Sequence, residues 1–86
     1  MNFIAEIDVM PLKELLDPQG KTVAGALQKL NISNVHDVRV GKHITMKFDA
    51  ASEEEAKAKV ENACKKLLIN PIIEYYEYHV REEVAV

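Results

Sequence analysis

The stretch Val35-His36-Asp37-Val38-Arg39-Val40-Gly41-Lys42-His43-Ile44-Thr45-Met46-Lys47-Phe48-Asp49-Ala50 decides the fold class. Apolar side chains fall at Val38 and Val40, then at Ile44, Met46 and Phe48, with Gly41-Lys42 between them. Two alternating runs around a glycine predict a β-hairpin. A two-residue Gly41-Lys42 turn would set Val40 against His43 and leave both faces half polar. An odd connection, Gly41-Lys42-His43, or a bulge sets Val40 against Ile44 and Val38 against Met46, and this register is the expected one.

Before the hairpin, Phe3, Ala5, Ile7 and Val9 recur at every second position, the period of a strand with one buried face. Met10 to Gly20 is broken by prolines and glycine and reads as a loop ending in a helix cap. Asp17 suits the N-cap, where a carboxylate accepts from an unpaired helix N–H. Pro18 suits the first helical position, where a missing N–H costs nothing. The helix that follows is expected to bury Val23, Ala26, Leu27 and Leu30, with Asn31 in the left-handed closing position.

After the hairpin, Ser52 and Glu55 form a capping box, and Glu53, Glu54 and Glu55 sit at the positive helix end. Ala56, Val60, Ala63, Cys64 and Leu67 make the buried stripe. Glu53–Lys57, Glu55–Lys59 and Glu61–Lys65 are spaced for ion pairs, and Asn70-Pro71 stops the helix. The closing strand, Ile72 to Arg81, carries Ile72, Tyr76, Tyr78 and Val80 on one side and Ile73 and Tyr75 on the other. A strand apolar on both faces wants cover on both. Ile73, Tyr75, Tyr76 and Tyr78 are therefore expected at an oligomer interface.

The order is βαββαβ, an α+β two-layer sandwich of ferredoxin-like order, with two helices on one face of an antiparallel sheet. With 86 residues, a single domain over 1–86 is expected. A chain this short hides only about 60–65% of its unfolded surface, so association would help it. Hydrophobic residues at 48% and charged residues at 29% exclude a disordered chain, and a net charge of −3 leaves no footprint for nucleic acid. The absence of a basic start and of a long apolar run predicts no membrane span and a cytoplasmic location.

Nothing in the pattern predicts catalysis. His36, His43 and His79 form no metal-binding pair, and Cys64, the single cysteine, reads as a core residue. Asp17-Pro18-Gln19-Gly20 and Gly41-Lys42 match no phosphate loop. Tyr75, Tyr76 and Tyr78 could stack RNA bases, but the basic patch such a role needs is missing.

Three segments in order carry a resemblance. Leu16-Asp17-Pro18-Gln19-Gly20 with Val23 and Ala26-Leu27, then Val35 to Lys42, then Cys64 to Tyr76, together resemble the PurS subunit of phosphoribosylformylglycinamidine synthase over nearly the whole chain. The resemblance implies a small non-catalytic subunit in de novo purine biosynthesis. It would bridge a glutaminase subunit (PurQ) and a large synthetase subunit (PurL), support ammonia transfer and self-associate as a dimer or tetramer. It implies no cofactor on this chain, with ATP, Mg and glutamine used by the partners. Asp17, Pro18, Gln19, Gly20, Asp37, Arg39, Gly41 and Lys42 are expected to carry partner contacts, with Arg39 and Lys42 as charged ones. Reversing Arg39 is expected to weaken assembly and spare the fold. The alternative is a small-molecule-sensing regulatory domain, which shares the βαββαβ order.

Overall fold

A computed structural model describes residues 1–83. Strand β1 spans Asn2–Pro11, helix α1 Pro18–Lys29, strand β2 Lys42–Asp49, helix α2 Glu53–Ala63 and strand β3 Glu74–Glu82. The three strands form one antiparallel sheet in the order β2-β1-β3. The α+β class and the expected order of elements hold, with segment 35–40 at the second β position but outside the ladder.

β1 is central, and its two-residue period is obeyed: Phe3, Ala5, Ile7 and Val9 are each 2% exposed or less. Ile7 lies between Ile44 and Tyr78, and Ala5 between Met46 and Val80, so one sheet face is apolar across all three strands. α2 lays Ala56, Val60 and Cys64 on that face. The opposite face is charged apart from Ile4, which is 8% exposed. Arg81 reaches Glu6 at 2.8 Å, and His43 lies 2.6 Å from Asp8.

α2 is built as its sequence dictates. The Ser52 hydroxyl accepts from the Glu55 N–H at 3.2 Å, and the Glu55 carboxylate accepts from the Ala51 N–H at 2.9 Å. That bond, with Lys59 beside it, holds the Glu55 carboxyl below its usual range. Lys57–Glu53 and Lys59–Glu55 pair at 3.4 Å. Among the described residues Glu61 does not pair with Lys65; it accepts from the Tyr78 hydroxyl at 3.0 Å instead.

The buried stripe departs from expectation at its end, where Leu67 is 81% exposed. Residues Cys64–Leu68 form a π-helical turn, and the Ile69 N–H donates to the Cys64 carbonyl at 3.1 Å. The wider turn delays the apolar face by one residue, so Leu68 and Ile69 meet the core in place of Leu67. Leu67→Lys is accordingly expected to change stability by no more than about 0.5 kcal/mol, read from urea unfolding.

Three further expectations are corrected. The hairpin does not form: residues 35–40 lie outside the ladder, and among the described residues β2 pairs with β1 alone, from Val9–Lys42 to Asn2–Asp49. β3 begins at Glu74, two residues later than expected, because Asn70 holds Ile72 and Ile73 in a turn. Tyr76, Tyr78 and Val80 face the core, while Tyr75, Glu77, His79 and Arg81 face outward. The outer face of β3 is thus largely polar, with Tyr75 beside Glu77, His79 and Arg81.

The third correction concerns α1, which is not seated on the sheet. Its start is capped as predicted, with Pro18 in the first turn, and Asn31 at φ 63° closes its end. Yet its one buried residue is Gly20, and Val23 and Leu30 are 40% and 69% exposed. No α1 residue belongs to the core. The Cα radius of gyration is 16.8 Å, against about 12 Å for a compact chain of this length. Only α2 covers the sheet, and α1 with the return segment projects as an arm.

Candidate partner-docking site

The base of the arm is a clasp made from residues far apart in sequence. One Asp17 oxygen accepts from the Gly20 N–H at 3.0 Å, and the other from the Val40 N–H at 2.8 Å. A single carboxylate therefore caps α1 and ties the return segment to it. Arg39 closes the second half, donating to the Leu15 carbonyl at 3.0 Å and the Leu12 carbonyl at 2.9 Å. The Leu12 N–H in turn donates to the Ile73 carbonyl at 2.8 Å, which anchors the loop beside β3.

Two glycines permit the close approach. A side-chain carbon at Gly20 would collide with the Val38 carbonyl, and one at Gly41 with the Val9 carbonyl and the Met10 side chain. Neither glycine has a positive φ, so space and not backbone freedom explains them.

Asp17, Gly20, Arg39 and Gly41 thus spend their polar groups or their smallness inside the chain. Arg39 has a structural task, and its charge reversal is now expected to open the loop. Pro18, Gln19, Asp37 and Lys42 stay exposed on the surface the clasp shapes. Beside them lies an open cleft of ≈520 Å³, walled by Leu15, Leu16, Pro18, Val40 and Ile73. Lys42 and Glu74 stand 4.0 Å apart at its rim. Leu16, 69% exposed, was missed in the sequence, where residues 10–20 carried only turn signals.

The Asp17 carboxyl is held below the ordinary aspartate range, chiefly by the Val40 N–H, then by the Gly20 N–H, with the Arg39 charge adding to them. A group whose folded pKa is depressed adds stability above its unfolded pKa, at about 4, and loses it as pH falls through the folded value. Asp17→Asn, which cannot ionise, is expected to lose less stability than the parent between pH 7 and about pH 3. Urea midpoints at the two pH values measure this, and equal losses would contradict the clasp.

Cys64 is fully buried, and burial together with Glu61 pushes its thiol pKa up, which makes it a poor nucleophile. His43 hydrogen-bonds Asp8 on the open sheet face, at 2.6 Å, with Glu6 at 4.0 Å, a cross-strand contact. No group of three His, Cys, Asp or Glu side chains among the described residues is placed to hold a metal. Tyr76 and Tyr78 stack at 6.1 Å on the core side, and burial raises both phenols. Of the four residues expected at an oligomer interface, only Ile73 and Tyr75 lie off the core face.

Residues 4–82 match the family model described as PurS: phosphoribosylformylglycinamidine (FGAM) synthase. The chain belongs to the PurS family. It is 43% identical over 75 residues to the phosphoribosylformylglycinamidine synthase subunit PurS of Bacillus subtilis, covering 86% of this chain and 88% of that one. It is 41% identical over 70 residues to that subunit of Methanocaldococcus jannaschii, covering 81% and 84%. The crystal structure of M. jannaschii PurS superposes with a TM-score of 0.83 at 36% identity, over 95% of this chain and 99% of that one. A chain in the structure of PurLQS from Thermotoga maritima superposes with a TM-score of 0.85 at 33% identity, over 94% and 99%. Coverage this complete takes in the projecting α1, so the arm is part of the PurS conformation.

Proposed function

We propose that this chain is the small, non-catalytic subunit of phosphoribosylformylglycinamidine synthase, joining the glutaminase to the ATP-consuming synthetase in de novo purine biosynthesis. The observation that carries this reading is the fit of the whole chain to a PurS chain from an assembly with PurL and PurQ. The relatives named above are all PurS subunits, so the regulatory-domain alternative is set aside.

The chemistry explains why such a subunit is useful. The complex converts an amide to an amidine, with ATP activating the amide oxygen and glutamine supplying nitrogen as ammonia. Ammonia released to water is protonated and stops being a nucleophile, so the two sites need a path closed to solvent. They also need fixed alignment, since small misplacements cost rate steeply. A stiff sheet with a clasped loop supplies alignment while donating no reacting group. This chain carries no cofactor of its own in this scheme; ATP, Mg and glutamine belong to the partner subunits. We place it with them in the cytoplasm, as a homo-oligomer. Among the described residues no helix is long and apolar enough to cross a membrane.

Partner contact falls on Pro18, Gln19, Asp37 and Lys42, with Asp17, Gly20, Arg39 and Gly41 keeping that surface in shape. The test is size-exclusion chromatography of purified synthetase and glutaminase with and without this chain. Co-elution of all three only when the chain is present is expected, and Lys42→Glu should weaken it without lowering the melting temperature. Identical co-elution of the two large proteins in its absence would refute the bridging role.

A further inference from the structure

The join between α2 and β3, residues 64–73, spends order on exposure. Leu67 and Ile72 are the two most exposed large apolar side chains among the described residues, at 81% and 79%. Neither points outward through looseness. Val60, Cys64 and Leu67 have the i, i+4, i+7 spacing of one helical face, so an unbroken α-helix would turn Leu67 inward. The π turn of Cys64–Leu68 turns it out and seats Leu68 in its place. Ile72 sits on a turn fixed by four hydrogen bonds. The Asn70 side-chain oxygen accepts from the Ile72 N–H at 3.1 Å, and its main-chain carbonyl accepts from the Ile73 and Glu74 N–H groups at 3.0 and 2.8 Å. The Glu74 carboxylate accepts from the Asn70 N–H at 2.8 Å. Apolar side chains held outward on a fixed frame lose little freedom on binding, the property of an interface anchor.

The flanking charges say what these anchors enter. Lys65 and Lys66 precede Leu67, both exposed, and neither is ion-paired among the described residues. The nearby acids are engaged within the chain: Glu61 accepts from the Tyr78 hydroxyl, and Glu74 holds Asn70 and faces Lys42. Cations left over beside apolar anchors complement an apolar pocket with carboxylates at its rim. Five residues reach no further than about 18 Å, so Leu67 and Ile72 fit under one interface. Ile73, the next residue, walls the cleft beside Lys42, so the anchors continue the surface that the clasp shapes.

We propose that Leu67 and Ile72 insert into an apolar, acid-rimmed pocket of the same partner subunit that meets Lys42, with Lys65 and Lys66 pairing with the rim. This rests on the bridging role proposed above and adds the chemistry of the partner's side. Leu67 and Ile72 hold that subunit by burial, while Lys65 and Lys66 steer its approach.

The test is assembly of the purified synthetase and glutaminase on this chain, with glutamine, ATP and Mg present. The concentration of chain needed for half-assembly, read by size-exclusion chromatography, is expected to rise about 30-fold or more for Leu67→Ser/Ile72→Ser. Lys65→Glu/Lys66→Glu should raise it about tenfold at low salt and much less at about 1 M salt, where screening reaches within about 3 Å. Both variants should keep the parent's melting temperature, and its mass when alone, because all four side chains are exposed. A photo-cross-linker at position 72 and one at position 42 should attach the assembled chain to the same large subunit. That measurement leaves Leu67 in place and decides the matter if the double variant melts early. Unchanged half-assembly for Leu67→Ser/Ile72→Ser, or cross-links from the two positions to different proteins, would overturn the anchor and leave the bridging role standing. A fall in that variant's own mass would assign the side chains to contact between copies and overturn the anchor too. No assembly with the parent chain would overturn the anchor and the bridging role together.

Discussion

Omitting this chain from a mixture of synthetase and glutaminase is expected to reduce glutamine-driven amidine formation by about 100-fold or more, the scale on which misaligned reactants lose rate. Ammonium salts should still support the synthetase at close to its full rate. The asymmetry follows from what the chain contains. Among the described residues no His, Cys, Asp and Glu cluster is placed to hold a metal and the cysteine is buried with a raised pKa, and on the proposed function the reacting groups belong to the partners. On the proposed function what fails is delivery, because ammonia made at one site would reach water before it reached the other. Assaying both nitrogen sources with and without the chain separates the two roles. If ammonium-driven turnover collapses as well, the chain contributes to catalysis itself. If neither rate changes, it has no part in the enzyme.

Val60→Asp is expected to abolish cooperative folding at 25 °C. Val60 is fully buried in a cluster with Ala5, Ile7, Val9 and Cys64, and only one helix is seated on the sheet to enclose that cluster. A chain of 86 residues has about 4–13 kcal/mol of stability in total. An unpaired carboxylate buried there costs several kcal/mol, which consumes most of that margin. Val60→Ala removes two methyl groups and should cost about 2 kcal/mol, a fall of roughly 8–16 °C in melting temperature. Differential scanning calorimetry of both variants measures the contrast. A near-parental cooperative melt for Val60→Asp would show that α2 is not the lid of the core.

The features legible in the sequence are local ones. Ser52 reaches three residues along to Glu55, Asp17 to Gly20, and Asn31 closes the helix it follows; each involves neighbours in the chain. The two-residue period of β1 is local too, and it identified the inward face without knowing what covers it. The candidate site was legible in its membership but not in its purpose. Asp17, Gly20, Arg39 and Gly41 were expected to meet a partner, yet they are occupied by Val40, Val38, the loop carbonyls of Leu12 and Leu15, and Val9. Those contacts join positions about eighteen or more residues apart, and no spacing rule reports them.

Taken alone, the order of residues determined the buried face of β1 and where each helix begins. Only the tertiary structure decided that residues 35–40 stay off the free edge of β2, that a π turn trades Leu67 for Leu68, and that α1 stands clear of its own sheet. The reason is physical. Strand period and turn signals do not say which segments pair; that depends on contacts between distant parts of the chain, here the joint burial of Phe3, Ala5, Ile7 and Val9 and the bonds that tie Arg39 and Val40 to Leu12 and Asp17.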